Sequence, residues 1–133
     1  MRLFPPTSLA IATIWQEARG EPRDGKVAVG EVIRNRMAAR YMSDGTIEDT
    51  CLRPYQFSGW NANDPNRIPA VRLDDTNPMV NECVAAWIAS ATSTLTFGAV
   101  HYLNPAIVHP LPAWADPALR TAIIGRHHFF RKA

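Results

Sequence analysis

Three features of the chain predict an α+β fold, mainly helical, closed by a small terminal β-sheet. Apolar residues recur at helical spacing in three segments before Ser93. Turn-forming stretches rich in Gly, Pro, Asn and Asp separate those segments. After Phe97 the helical spacing stops, and short runs of β-branched and aromatic residues replace it. The length of 133 residues suits a single domain covering 1–133, since no repeat, low-complexity tract or linker divides the chain.

The first helix is expected to be capped by Thr7 or Ser8 and to run to about Arg19. Ile11, Ile14, Trp15 and Ala18 make its buried stripe at i, i+3, i+4 and i+7. Gly20 suits the position after the helix, and Pro22 suits the first turn of the next one. The second helix spans 23–41, with Val29, Val32, Ile33 and Met37 inward. Arg36 falls inside that stripe, so it either snorkels or pairs with a buried carboxylate, for which Glu17 and Glu21 are nearest in sequence. Asp44-Gly45 is a turn, followed by a short helical piece at Thr46–Leu52. Residues 53–69 read as an irregular loop with one extended segment. Pro78–Ser93 is a third amphipathic helix, with Val80, Val84, Trp87, Ile88 and Ala91 inward. "AVHYLNP" and "TAIIGRHHFF" supply the short strands, joined by the Pro-rich "AIVHPLPAWADP".

Composition narrows the function classes. A net charge of +2 with mixed signs and no Lys/Arg run argues against a nucleic-acid partner. Twelve arginines against two lysines favour planar contacts to carboxylates and phosphates over diffuse attraction. No run of 18 apolar residues exists, so no membrane insertion is expected. Cys51 and Cys83 have neither CxxC nor zinc spacing; two buried free thiols is the simpler reading, and a single disulfide the other. "MRLFPPTSLAIATIW" starts with a positive charge, but Pro5-Pro6 interrupts it and no A-x-A site follows, so it is not read as a signal peptide.

Glu17 is the first candidate for chemistry. At roughly 100° per residue it lies ~60° from Ile14, on the flank of the buried stripe. Partial burial disfavours a charged carboxylate, and a carboxyl kept protonated can act as a general acid. The competing structural reading is an ion pair with Arg36 or Arg19. "YQFSGW" at 55–60 is the second candidate: Gln56, Ser58 and backbone groups can bond hydroxyls, while Tyr55, Phe57 and Trp60 offer ring faces. That suits a sugar, and it also suits a packed loop. The third comprises "HYLNP" at 101–105 and "GRHHFF" at 125–130. Four histidines invite a metal, but no HExxH is present, and His127 and His128 on one strand point to opposite faces. No metal and no cofactor is expected. GxSxG, a cysteine nucleophile signature and a phosphate loop are all missing.

"EARGEPRDGKVAVGEVIRNR" (17–36), "YQFSGW", "HYLNP" and "IGRHHFF" (124–130), in that order, resemble the cell wall hydrolase family of the spore-cortex lytic enzyme type. The resemblance covers about residues 8–130. It implies a lysozyme/transglycosylase-like domain that cleaves peptidoglycan glycan strands between MurNAc and GlcNAc, with Glu17, the first glutamate of E-A-R-G-E, as the catalytic acid. Glu21 is then the candidate second carboxylate for a hydrolytic muramidase, although Pro22 takes it off the helical face of Glu17. A one-carboxylate lytic transglycosylase, with Glu17 as acid and then as base toward the MurNAc 6-hydroxyl, is the favoured route. Gln56, Phe57, Ser58, Trp60, His101, Tyr102 and Asn104 are the expected substrate-binding residues, and Arg36 a structural ion pair. A non-catalytic glycan-binding module and a small basic interaction protein are the alternatives from other classes. The expected setting is that of a phage endolysin, a monomer made in the cytoplasm that reaches the wall once a holin opens the membrane; a bacterial wall-remodelling enzyme exported by another route is the rival.

Overall fold

The computed structural model describes residues 5–54 and 56–133. Tyr55, one of the expected ring faces, and residues 1–4, which bear on the reading of the N-terminus, lie outside them. Five helices come first: α1 (Pro6–Ala18), α2 (Arg23–Ala39), α3 (Ile47–Leu52), α4 (Arg67–Val71) and α5 (Pro78–Ser90). Three strands follow, β1 (His101–Leu103), β2 (Arg120–Ile124) and β3 (His127–Phe130). They form one antiparallel sheet in the order β1-β3-β2. The mainly helical α+β architecture with a small terminal sheet is the predicted one.

α1 is the central element and packs against α2, α3, α4 and α5. It is therefore buried well beyond its predicted stripe: Leu9, Ala10, Ala12, Thr13 and Gln16 join Ile14, Trp15 and Ala18 in the interior. Its N-cap is Pro5 with no side-chain cap bond, rather than Thr7 or Ser8. Two prolines in succession set an extended residue followed by a helical first turn, so no hydroxyl is needed there. α3 does have a hydroxyl cap, with Thr46 Oγ1 accepting from Asp49 N. The expected extended segment within 53–69 is replaced by a 3-10 turn at Ser58–Trp60 and by α4.

The inward face of α5 is also turned from the expected one. Cys83, Ala86, Trp87 and Ser90 are buried, whereas Ile88 is 67% exposed. Small residues decide this. A Cβ on Gly30 of α2 would lie 2.8 Å from Ser90 Oγ, so α2 and α5 meet closely along a face that bulky Ile88 and Val84 could not share. Arg34 closes the same contact through Ser90 Oγ (2.8 Å) and Trp87 O (2.7 Å), its guanidinium stacked on the Trp87 ring.

A second apolar cluster, Ala28, Val32, Ala99 and Phe129, fastens the sheet to α2. Buried Glu31 anchors the chain entering the sheet by accepting from Leu95 N, Thr96 N, Thr96 Oγ1 and Ser93 Oγ. Cys51 and Cys83 are both buried and free, and burial pushes their thiols up to about 12 and about 11. Among the described residues no helix is long and apolar enough to cross a membrane.

Gly30→Ala is expected to destabilise the protein by about 1–3 kcal/mol, the usual cost of overpacking a close helix contact. Urea denaturation with an unchanged slope measures it, and a midpoint equal to wild type would show that α2 and α5 are not in close contact.

Candidate active site

α1 ends at Ala18, and the chain turns through Arg19–Pro22 before α2 begins at Arg23. The β2–β3 hairpin folds back onto this hinge. Together they bound a cleft of about 350 Å³ lined by Glu17, Gly20, Glu21, Asn104, Arg126 and His127, with Gln16, Ala18, Arg19 and Ile107 completing it.

Glu17 and Glu21 both line the cleft, but in different chemical states. The Tyr102 hydroxyl of β1 donates to Glu17 Oε1. Burial is the strongest influence on Glu17 and raises its pKa. The Tyr102 bond and the Arg36 charge pull it back, Asp64 pushes it up again, and the net shift is upward. The carboxyl is thus set to hold a proton at a pH where an ordinary glutamate would not.

Glu21 is the opposite case. Its carboxylate is 3% exposed, yet both oxygens are occupied: Arg126 N donates to Oε1 at 2.9 Å, and Arg126 Nε donates to Oε2 at 2.8 Å, with the other guanidinium nitrogen 2.7 Å away. Burial alone would raise its pKa, but these bonds and the nearby His127 outweigh it and hold the carboxyl below its ordinary value. Two glycines make room for this arrangement. A Cβ on Gly125, at φ +58°, would sit 2.7 Å from Glu21 Oε1, and one on Gly25 would sit 2.7 Å from Glu21 Cβ. The buried Lys26 ammonium fixes the same hinge by donating to Glu21 O.

Residues 20–130 match the Cell Wall Hydrolase family. This chain belongs to that family. It is 29% identical over 116 residues to a spore cortex-lytic enzyme of Oceanobacillus iheyensis, covering 87% of this chain and 38% of that protein. The chain thus spans well under half the length of that curated relative. Its fold is that of the catalytic domain of the Bacillus cereus SleB protein, with a TM-score of 0.74, 23% identity and 98% of each chain covered. It also matches the catalytic domain of the germination-specific lytic transglycosylase SleB from Bacillus anthracis, with a TM-score of 0.70, 24% identity, and 95% of this chain and 93% of that one covered. Glu17 lies just upstream of the family match, so its place in the site rests on the cleft geometry.

Of the residues expected to bind substrate, the structure brings Tyr102 and Asn104 to Glu17. Asn104 lines the cleft, its Oδ1 already taken by Ala106 N at 3.0 Å. Phe57 is 1% exposed and belongs to the core, so it has no ring face to offer. His101 is stacked on Trp114 at 4.5 Å and buried. Burial and the Arg36 charge push its pKa down to about 4, so it is a neutral packing residue rather than a sugar ligand. Trp60 donates Nε1 to Thr13 Oγ1 at 2.8 Å and, with Leu52, Asn61 and Arg67, borders hollows separate from the Glu17 cleft. Ser58 is exposed on the same 3-10 turn, and Gln56 O accepts from Arg36 Nη1 at 3.3 Å. Neither residue lines the cleft.

Arg36 is buried as its stripe position predicts, but its partner is not a glutamate. Its Nε donates to Val100 O at 2.6 Å, and its guanidinium lies over Phe57 at 4.6 Å. Main-chain carbonyls satisfy it there, and only its charge reaches Glu17. The expected ion pair of that hinge is made instead by Arg126, some hundred positions from Glu21 in sequence. Sequence reasoning also passed over Gln16, whose Nε2 donates to Gly59 O at 3.0 Å and holds the 58–60 turn against α1. Arg19, the other expected partner of Glu17, bonds Asn66 Oδ1 at 2.8 Å instead. His127 was visible only as one of four histidines.

Tyr102→Phe is expected to raise the titration midpoint of Glu17, because the lost hydroxyl donates to the ionised form. Carboxyl carbon NMR of the folded variant measures this. A midpoint equal to or below that of wild type would show that Tyr102 does not hold the Glu17 carboxylate.

Proposed function

We propose that this chain cleaves peptidoglycan glycan strands between MurNAc and GlcNAc as a lytic transglycosylase, with Glu17 as the acid. The observation that carries this reading is the contrast between the two carboxyls of one cleft. Glu17 is held in a form that retains a proton, while Glu21 is locked ionised in a clamp with Arg126. Such a separation of environments is how one site assigns different tasks to two like groups. Membership of the cell wall hydrolases supports the substrate, and the likeness to a lytic transglycosylase of Bacillus anthracis supports the reaction.

Glu17 gives its proton to the leaving oxygen as the glycosidic bond breaks. The MurNAc 6-hydroxyl closes on the anomeric carbon to form the 1,6-anhydro ring, and its proton restores Glu17. A hydrolytic muramidase would need a second free carboxylate, at ~5–5.5 Å for retention or ~6.5–9.5 Å for inversion. Glu21 is a poor candidate for that role, since both its oxygens are committed to Arg126.

Product mass on purified sacculi tests the reaction, because an anhydro end is one water lighter than a reducing end. Glu17→Gln should lower muropeptide release by roughly 10²–10⁴-fold, the usual worth of a general acid. Glu21→Gln should be weaker and less stable but still produce anhydro ends. Wild-type digests holding only reducing MurNAc ends, together with a Glu21→Gln variant as inactive as Glu17→Gln, would make the enzyme a two-carboxylate muramidase.

For the biological setting we propose cell lysis in the manner of a phage endolysin, a role with which membership of the cell wall hydrolases and a mild positive charge of +2 are compatible. Cytoplasmic expression should then lyse a bacterial host only when a pore-forming membrane protein is expressed with it. Lysis without the pore former, or none with it, would contradict this role.

A further inference from the structure

We propose that His127 is the proton acceptor of the cleft, its Nε2 taking the proton of the attacking sugar hydroxyl while Glu21 holds its Nδ1 edge. The assignment rests on the transglycosylase reading and names the group through which the proton returns to Glu17.

The ring is placed by three neighbours. Its Nδ1 is sealed from solvent, has no hydrogen-bond partner among the described residues, and lies 3.7 Å from Glu21 Oε1. It lies against the Tyr102 ring, tilted by 60° with centroids 5.0 Å apart, the same tyrosine whose hydroxyl bonds Glu17. Phe129 meets it edge to face at 6.2 Å. His127 lines the cleft although its side chain is only 12% exposed. With Nδ1 turned inward to a carboxylate, the edge left for the cleft carries Nε2, which has no partner among the described residues.

The carboxylate at Nδ1 selects the tautomer. An ionised Glu21 attracts an Nδ1–H and leaves Nε2 with a lone pair. The 3.7 Å separation is long for a hydrogen bond, as such contacts are before substrate closes the site. The charged groups facing the ring are Glu21 from the hinge and Arg126 from the hairpin turn; Glu17 lines the same cleft, bonded to the Tyr102 hydroxyl. Burial lowers the pKa of His127, Glu21 raises it, Arg126 lowers it, and the net shift is downward. The imidazole is therefore neutral, and able to accept, at neutral pH.

The step balances without any further reactant. The bond from C1 to the leaving oxygen breaks, and that oxygen takes the Glu17 proton. The bond from O6 to C1 forms, and the O6 proton passes to Nε2. The resulting imidazolium is stabilised by Glu21 and returns the proton to the Glu17 carboxylate. A buried carboxylate clamped by Arg126 thereby acquires a use that its role in the hinge does not require.

His127→Asn, assayed on purified sacculi beside Glu17→Gln, tests the assignment. The variant should lose kcat by roughly 10²–10⁴-fold with KM nearly unchanged. The acid limb of the pH–rate profile, where wild-type His127 becomes protonated, should vanish from its residual activity. If Glu17→Gln is inactive while His127→Asn keeps near wild-type kcat and the acid limb, Glu17 moves the proton alone and the role of His127 is refuted while the transglycosylase reading stands. If wild type yields only reducing ends, both fail. Long-range proton–nitrogen NMR of the wild-type protein gives a check that needs no variant: His127 should carry its proton on Nδ1 near neutral pH, and a proton on Nε2 would overturn the proposal.

Discussion

The contact between Glu21 and Arg126 is the constraint from which the site follows. It joins the hinge after α1 to the turn between β2 and β3, elements separated by most of the chain. It anchors the hairpin on the hinge, and both of its residues line the cleft. The clamp is nearly sealed on the carboxylate side and exposed on the guanidinium side, 3% against 66%. The carboxylate therefore carries the cost of burial, and two hydrogen bonds and an ion pair from one arginine offset it. Two glycines and a lysine are given over to the same contact. That concentration of unusual residues around one glutamate shows how strongly the local geometry is specified.

The same clamp sets up the electrostatics of the cleft. Glu21 is held below the ordinary carboxylate pKa by its donors, whereas burial raises that of Glu17. Tyr102 is the one donor that reaches Glu17 among the described residues, and Arg36 acts on it only through space. Two glutamates four positions apart thus titrate in opposite directions. The difference comes from where the helix stops. Glu17 is still on α1, whose sides are covered by other helices, whereas Glu21 has left the helix and met an arginine.

Burial of α1 has a second consequence. A side chain on a core helix, such as Glu17, can be placed firmly, because rotation or tilt of the helix would disturb the packing of four others. Gln16, Thr13 and Arg19 also tie α1 to the 58–66 region through Gly59, Trp60 and Asn66. The 55–60 segment, which has the composition of a sugar-binding loop, is held to α1 by these bonds. Its Phe57 is drawn into the core and its Trp60 is spoken for by Thr13.

By itself the sequence determined the number and type of most elements, the hinge at Gly20–Pro22 and the partial burial of Glu17. Each of these depends on residues close together in the chain: helical periodicity, proline and glycine at fixed offsets, and an acid on the edge of a stripe. Tertiary structure alone decided who partners whom. Arg36 sits in its helix as its spacing demands, yet it bonds Val100 O, because the chain entering β1 brings a carbonyl to it before any glutamate can. Arg126 reaches Glu21 because the hairpin folds back on the hinge. The α5 face follows Gly30 and Ser90, small residues whose value appears only when two helices meet. His127 became a candidate for chemistry for the same reason. Its neighbours Glu21 and Tyr102 come from two other elements, and no spacing along one chain records a contact made between three.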